Sequence, residues 1–308
     1  MAAIDTAIER ELPLLTHLQG SLIILLTGVA FSFGGLAFRS VEIGSWEYLF
    51  FRGLGMGIVA VAVLAVRYRG RVAHLTSRVE RSHVVAGLLL GAMNTLFIVS
   101  LSFASVAFVL ILQTLAPLTA AYFSWLLLKE RPSSSVLIAT GVSLVGVIVM
   151  VGGSIVQDFS PFGLIAILIP VGFGLYTSII RSTQRIDAMV PLAVAALSLL
   201  LVGSTWALLS GGFTASWQDA AIGTFAGSVL LAVPLAAFNT AQRVVPAPEA
   251  ALLIMTEIVL APIWVWFFVG ETATATTILG GLIIMAAVIW VTLKRVPRKG
   301  RRPITTRG

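Results

Sequence analysis

The chain has 308 residues, 58% hydrophobic and 11% charged, with a net charge of +7 and a mean hydropathy of +1.02. Soluble domains carry about 25% charged residues, so this composition cannot cover a water-exposed surface and excludes an ordinary soluble protein. The absence of cysteine excludes disulfides, thiolate metal ligands and a cysteine nucleophile.

Residues 1–17 include Asp5, Glu9, Arg10 and Glu11, which is not the basic start of a signal peptide. Continuous apolar runs follow, rich in Leu, Ala, Val and Gly. They lack the alternation of a membrane barrel and so predict helices of about 20 residues, each long enough to cross a bilayer. The expected spans are 18–38, 47–66, 83–103, 105–128, 134–152, 161–181, 190–210, 220–242, 248–269 and 275–293. Span 2 carries Gly53, Gly55 and Gly57, superficially a nucleotide loop. No strand precedes them, so close helix packing is the expected use, as for Gly87 and Gly91 in span 3. Span 3 also holds Asn94-Thr95, and span 4 holds Gln113 and Pro117. Tyr176 lies mid-way along span 6, in a stretch of small residues from Gly172 to Ser178. Span 8 carries Pro234 and Asn239-Thr240, and span 9 carries Thr256, Glu257 and Pro262. The connections hold turn signals such as Arg131-Pro132-Ser133 and Gly211-Gly212.

Ten spans put both termini on one side. That side then collects 18 of the 20 basic residues, all but Arg39 and Arg52, while Glu42, Glu47, Asp158, Asp219 and Glu271 fall opposite. The positive-inside bias therefore predicts cytoplasmic termini. The basic tail 294–308 is read as a topology determinant touching anionic lipid, and no nucleic-acid partner is expected.

Two segments resemble each other: Leu112–Glu130 and Leu253–Glu271 share Leu112/Leu253, Ala120/Ala261, Trp125/Trp266 and Glu130/Glu271. Each is the fourth span of a group of five. A five-span unit used twice must sit once each way up, which predicts an all-α fold built as a 5+5 inverted repeat. The expected units are residues 1–153 and 160–293, followed by the tail.

A polar group in hydrocarbon is costly, so each one inside a span needs a reason. Asn94, Gln113, Asn239, Thr256 and Glu257 concentrate on spans 3, 4, 8 and 9, which makes these spans the candidate lining of a central path, with Tyr176 beside them. Interhelical hydrogen bonding is the alternative use. Glu257 is the carboxylate deepest in a span. It must be protonated, paired or facing water, and it suits proton coupling, a substrate amine or a helix contact. Pro117, Pro234 and Pro262 free the carbonyls of Gln113, Leu230 and Ile258 and mark hinge or kink candidates. His17, His74 and His83 stand at span margins without metal spacing, and no nucleophile–base set lies in the spans. No enzyme activity, metal or cofactor is expected.

Ten spans, a five-plus-five repeat, and a fourth span of form Ala-Pro-x12-Glu (Ala116, Pro117, Glu130) resemble the EamA-type branch of the drug/metabolite transporter superfamily. Where that family often writes Glu-Pro, this chain has Glu257-Ile258. The resemblance implies a multi-pass protein of a bacterial cytoplasmic membrane that exports small metabolites, by alternating access, through a cavity between spans 3, 4, 8 and 9. No Lys or Arg is expected at mid-span, which disfavours strongly anionic cargo. Neutral amides and aromatics suit a neutral or zwitterionic molecule, and an exporter of amino acids, aromatic or other large neutral ones foremost, is the favoured reading. The alternatives are a drug, nucleoside or other metabolite exporter, or a non-transporting flippase or scaffold subunit. Ten spans can enclose such a path in a monomer.

Overall fold

The computed structural model describes residues 15–68, 79–104, 106–151, 163–182, 187, 189–269 and 275–294. Among them every regular element is helical. Asp158, Glu271, the basic residues of 69–78, Arg185, and the tail beyond Lys294 lie outside the described residues, as does the side chain of Trp266.

In chain order the helices are α1 (His17–Phe31), α2 (Gly34–Arg39), α3 (Ser45–Tyr68), α4 (Arg81–Phe103), α5 (Val106–Gln113), α6 (Ala116–Leu128), α7 (Ser134–Val151), α8 (Leu168–Ser182, after a 3-10 turn Gly163–Ile167) and α9 (Met189–Leu209). There follow α10 (Trp217–Phe225), a π-helical stretch Ala226–Ala232, α11 (Val233–Ala241), α12 (Ala247–Leu253), α13 (Thr256–Val269) and α14 (Ala275–Lys294). Six stretches are long and apolar enough to cross a membrane: His17–Arg39, Ser45–Arg67, Arg81–Phe103, Ile165–Ser182, Met189–Leu209 and Trp217–Ala241. Large apolar side chains such as Leu26, Ile58, Val61, Leu201 and Leu208 point outward and stay exposed. In water that surface would be untenable; in lipid it is the expected exterior. The chain is a multi-pass membrane protein.

Local chemistry fixes several helix ends. Thr16 caps α1 in a reciprocal box, its Oγ1 accepting from Gln19 N at 3.2 Å. Ser216 caps α10 by accepting from Asp219 N at 3.1 Å. Lys129 ends α6 in a left-handed conformation, φ 58°, just before Arg131-Pro132.

Ion pairs place the connections at two ends. At one end Arg67 pairs with Asp187 (2.7 Å), Arg181 with Glu130 (2.9 Å) and His17 with Glu249 (3.0 Å). At the other, Ser45 meets Ser102 (2.6 Å), Glu47 meets Thr214, and the Glu42 amide donates to Asp219 (3.3 Å). Between these ends α3 packs on α9, α7 on α14, α6 on α12, α1 on α11 and α8 on both α4 and α6. Glycine permits the closest crossings. A Cβ at Gly55 would strike the Thr224 carbonyl, and one at Gly227 would strike the Arg52 carbonyl, so α3 meets the π stretch backbone to backbone.

Several helices are interrupted. The break at Thr114–Leu115 precedes Pro117, which cannot donate to Gln113. Its counterpart in the second block falls at Ile254–Met255, where Met255 N reaches back to Leu252 O (3.1 Å) in a 3-10 turn. No proline lies within six residues after that break. Pro262 sits two turns further on, and its side chain is not among those described. Near Pro234 the helix widens into the π stretch, and the Pro234 carbonyl accepts from Thr27 Oγ1 at 3.1 Å. A fourth break, at Ser32–Phe33, is held by Trp264, whose Nε1 donates to Ser32 Oγ (2.7 Å) while its ring stacks on Phe33 at 4.5 Å.

Candidate functional site

The breaks surround one cavity with an empty volume of about 1000 Å³, its open mouth included. Three aromatic rings, Phe31, Phe97 and Phe173, form much of its wall, with Leu90, Met93 and Pro170 between them. The π stretch and α11 contribute Ala226, Leu230, Leu231 and Leu235. The second block contributes Ala251, Ile254, Met255, Glu257 and Ile258 around its break. The wall thus draws on the four expected spans, and also on α1–α2, α3 and α8. The first break works in the same way: it leaves Gln113 and Ala116 on either side of Thr114–Leu115, both facing the cavity.

Four of the six polar residues singled out from the sequence face this space: Asn94, Gln113, Tyr176 and Glu257. Their bonding differs. Asn94 is tied to its own helix, its Nδ2 donating to Leu90 O at 2.9 Å. Tyr176 is locked to Asn239, with its hydroxyl 2.9 Å from Asn239 Oδ1 and 2.8 Å from Nδ2. Asn239 therefore stands behind Tyr176, in the packing, and does not itself line the space. Thr256 is buried and back-bonds to Leu253 O at 2.8 Å, so its hydroxyl serves the helix break. Asn94 and Asn239, alike in sequence position, are used differently because only Asn239 has a tyrosine opposite it.

Gln113 and Glu257 have capacity to spare. Gln113 Nε2 is buried without a hydrogen-bond partner, and none of the described residues hydrogen-bonds the Glu257 carboxylate. A buried amide donor left unmet costs about 1–3 kcal/mol, which a guest molecule or water in the cavity would recover.

Arg52 places on the cavity wall a cation that the sequence reading did not assign there. It belongs to α3, is 6% exposed and lines the same cavity, with its guanidinium 5.8 Å from the centre of the Phe97 ring. The signal in the sequence was its isolation: with Arg39, it is one of two basic residues outside the charge-rich side.

The end opposite the Glu47 contacts is tied together by a polar knot that sequence reasoning missed. Arg181 forks onto Glu130 (Nε–Oε2 2.9 Å, Nη2–Oε1 3.0 Å) and donates through Nη1 to Gln242 O at 2.8 Å and Val245 O at 3.2 Å. One side chain thereby ties the end of α6 to the connection between α11 and α12. Beside it Glu249, fully buried, faces His17. The repeated terminal glutamate Glu130 was the available clue, but its partner is 51 residues away.

Residues 18–152 match the EamA-like transporter family, a similarity that covers the first half of the chain. No curated protein matches the chain. Among 29 matching chains of solved structures, one described only as "Crystal structure of protein" covers 89% of this chain and 96% of its own length. Its TM-score is 0.74 at 17% identity, a likeness of fold.

Proposed function

We propose that the chain is a ten-span transporter that exports small neutral or zwitterionic metabolites, amino acids foremost, by alternating access through the central cavity. The observation that carries this reading is the cavity itself. It lies inside an apolar bundle, is walled by aromatic rings, and presents the unmet Gln113 amide and the Glu257 carboxylate. Polar groups without protein partners at membrane depth are costly and fit a solute path.

A 5+5 inverted repeat is supported by the packing. Numbered as the ten expected spans, 2 meets 7 (α3 on α9), 5 meets 10 (α7 on α14) and 4 meets 9 (α6 on α12), and the pairing of 1 with 8 (α1 on α11) is matched by that of 6 with 3 (α8 on α4). Exchanging the halves leaves this set unchanged, as an inverted repeat requires. The family match ends at residue 152, where the first unit was expected to close. Both termini are assigned to the cytoplasmic face of a bacterial inner membrane on the charge bias, with residues 1–153 and 160–293 as the two units. Under that assignment the Arg181–Glu130 knot closes the cytoplasmic end, so the cavity faces away from the cytoplasm. Rocking of the two units would break this knot and reverse the opening. A monomer suffices, since the cavity is enclosed by one chain.

Purified protein tested by thermal shift against amino acids, nucleosides and cationic drugs checks the substrate class. Stabilisation by amino acids supports the reading. Stabilisation confined to nucleosides or drugs replaces the substrate, and a response to lipid alone favours the flippase or scaffold role.

A further inference from the structure

We infer that Arg52 forms, with Gln113, a subsite for the carboxylate group of the transported molecule, opposite Glu257, which receives its ammonium group. This rests on the transport reading above and names what the cavity recognises.

The argument begins with an unmet charge. Arg52 is more than nine-tenths buried, and its Nε and Nη1 have no hydrogen-bond partner. Arginine cannot shed its proton at any physiological pH, so it cannot escape burial by becoming neutral. A buried guanidinium is normally paired or fully hydrogen-bonded. The nearest carboxylate in sequence, Glu47, does not serve. Its oxygens accept from Thr214 N, Thr214 Oγ1 and Ala215 N, each at 2.9 Å. The Tyr48 hydroxyl, one turn back, lies beside the guanidinium but does not meet hydrogen-bond geometry with it. The Phe97 face offers a weak contact at 5.8 Å, which leaves Nε and Nη1 without an acceptor.

Glu257 lines the same cavity as Arg52, yet no ion pair within 4.0 Å joins them. A carboxyl group and a guanidinium thus share a mostly apolar space without consuming each other. A third group, Gln113 Nε2, adds another unpartnered donor. A guanidinium and an amide N–H match the oxygens of a carboxylate, for which arginine's planar fork is suited. A carboxylate across the same space matches an ammonium. One small molecule carries both complements at short separation: a zwitterion. A monoanion would leave Glu257 unmet, and a monocation would leave Arg52 unmet.

The test uses the wild-type full chain in lipid nanodiscs, with L-phenylalanine, L-phenylalaninamide (no carboxylate) and 3-phenylpropionate (no ammonium) as probes. The expected result is at least tenfold weaker binding of both truncated probes. Arg52→Gln should lose affinity for phenylalanine and 3-phenylpropionate while leaving the amide unchanged. Glu257→Gln should lose phenylalanine and the amide while sparing 3-phenylpropionate. Arg52→Lys, which keeps the charge and loses the fork, should fall between. If wild type binds phenylalanine and its amide equally, the subsite is wrong while the transporter reading stands. If wild type binds none of the three, nor any other amino acid, both fail. The wild-type comparison decides the matter even if the Arg52 variants do not fold.

Discussion

Neutralising Glu130 should open the end of the bundle that Arg181 closes. Glu130→Gln removes the charge-assisted fork and leaves the Arg181 bonds to the Gln242 and Val245 carbonyls. Hydrogen bonds to charged groups contribute about 1.5–3 kcal/mol when sheltered, and exposed ion pairs about 0.2–1 kcal/mol. The Arg181 side chain is 15% exposed and that of Glu130 40%, so the pair lies between these limits, at about 1–2 kcal/mol. If that energy favours only the closed form, its loss raises the open population about 5–30-fold. The chain has no cysteine, so a single introduced thiol reports alone. Ser124 is buried beside Glu130 and Arg181, and Ser124→Cys is nearly isosteric. The labelling rate of that thiol by a water-soluble maleimide should rise about 5–30-fold in the Glu130→Gln background. An unchanged rate in a folded variant would show that the knot is a static brace and not a gate.

Other consequences are more local. Tyr176→Phe strands the buried Asn239 amide and should lower stability by about 1–3 kcal/mol, read by thermal unfolding in detergent; no loss would mean that water replaces the hydroxyl. Gly227→Ala drives a Cβ into the Arg52 carbonyl and should cost about 1–3 kcal/mol. Gly141→Ala, which meets nothing within 4 Å, should leave the melting temperature unchanged or slightly raised, so equal losses at both glycines would refute the packing argument. Transport by Glu257→Gln should differ from wild type in rate or profile across a pH series, and an identical profile would remove the carboxylate from the mechanism.

The membrane class and the helical runs were legible because hydrocarbon imposes a composition and a length on whatever crosses it. The break before Pro117 was legible too, since a missing N–H has a fixed consequence four residues back. The break at Ile254–Met255 was not: no proline precedes or follows it closely, and it depends on packing around the second block. The π stretch at Ala226–Ala232 was not legible either: it lies against α3 where Gly227 meets the Arg52 carbonyl, a close approach between residues 175 apart in the chain. Composition marked Asn94, Gln113, Tyr176, Asn239, Thr256 and Glu257 as expensive residues. It could not say which would find partners, and four of them did: Asn94 with Leu90 O, Thr256 with Leu253 O, and Tyr176 and Asn239 with each other. Arg52 was discounted because it lies near a helix end, whereas its place on the cavity wall is set by how α3 packs against its neighbours.

The most direct test of the account is flux. Proteoliposomes holding the purified chain should release preloaded radiolabelled phenylalanine faster than protein-free vesicles, and Arg52→Gln should reduce that release at least tenfold. Release equal to that of empty vesicles, for phenylalanine and for every other amino acid tried, would contradict the central claim.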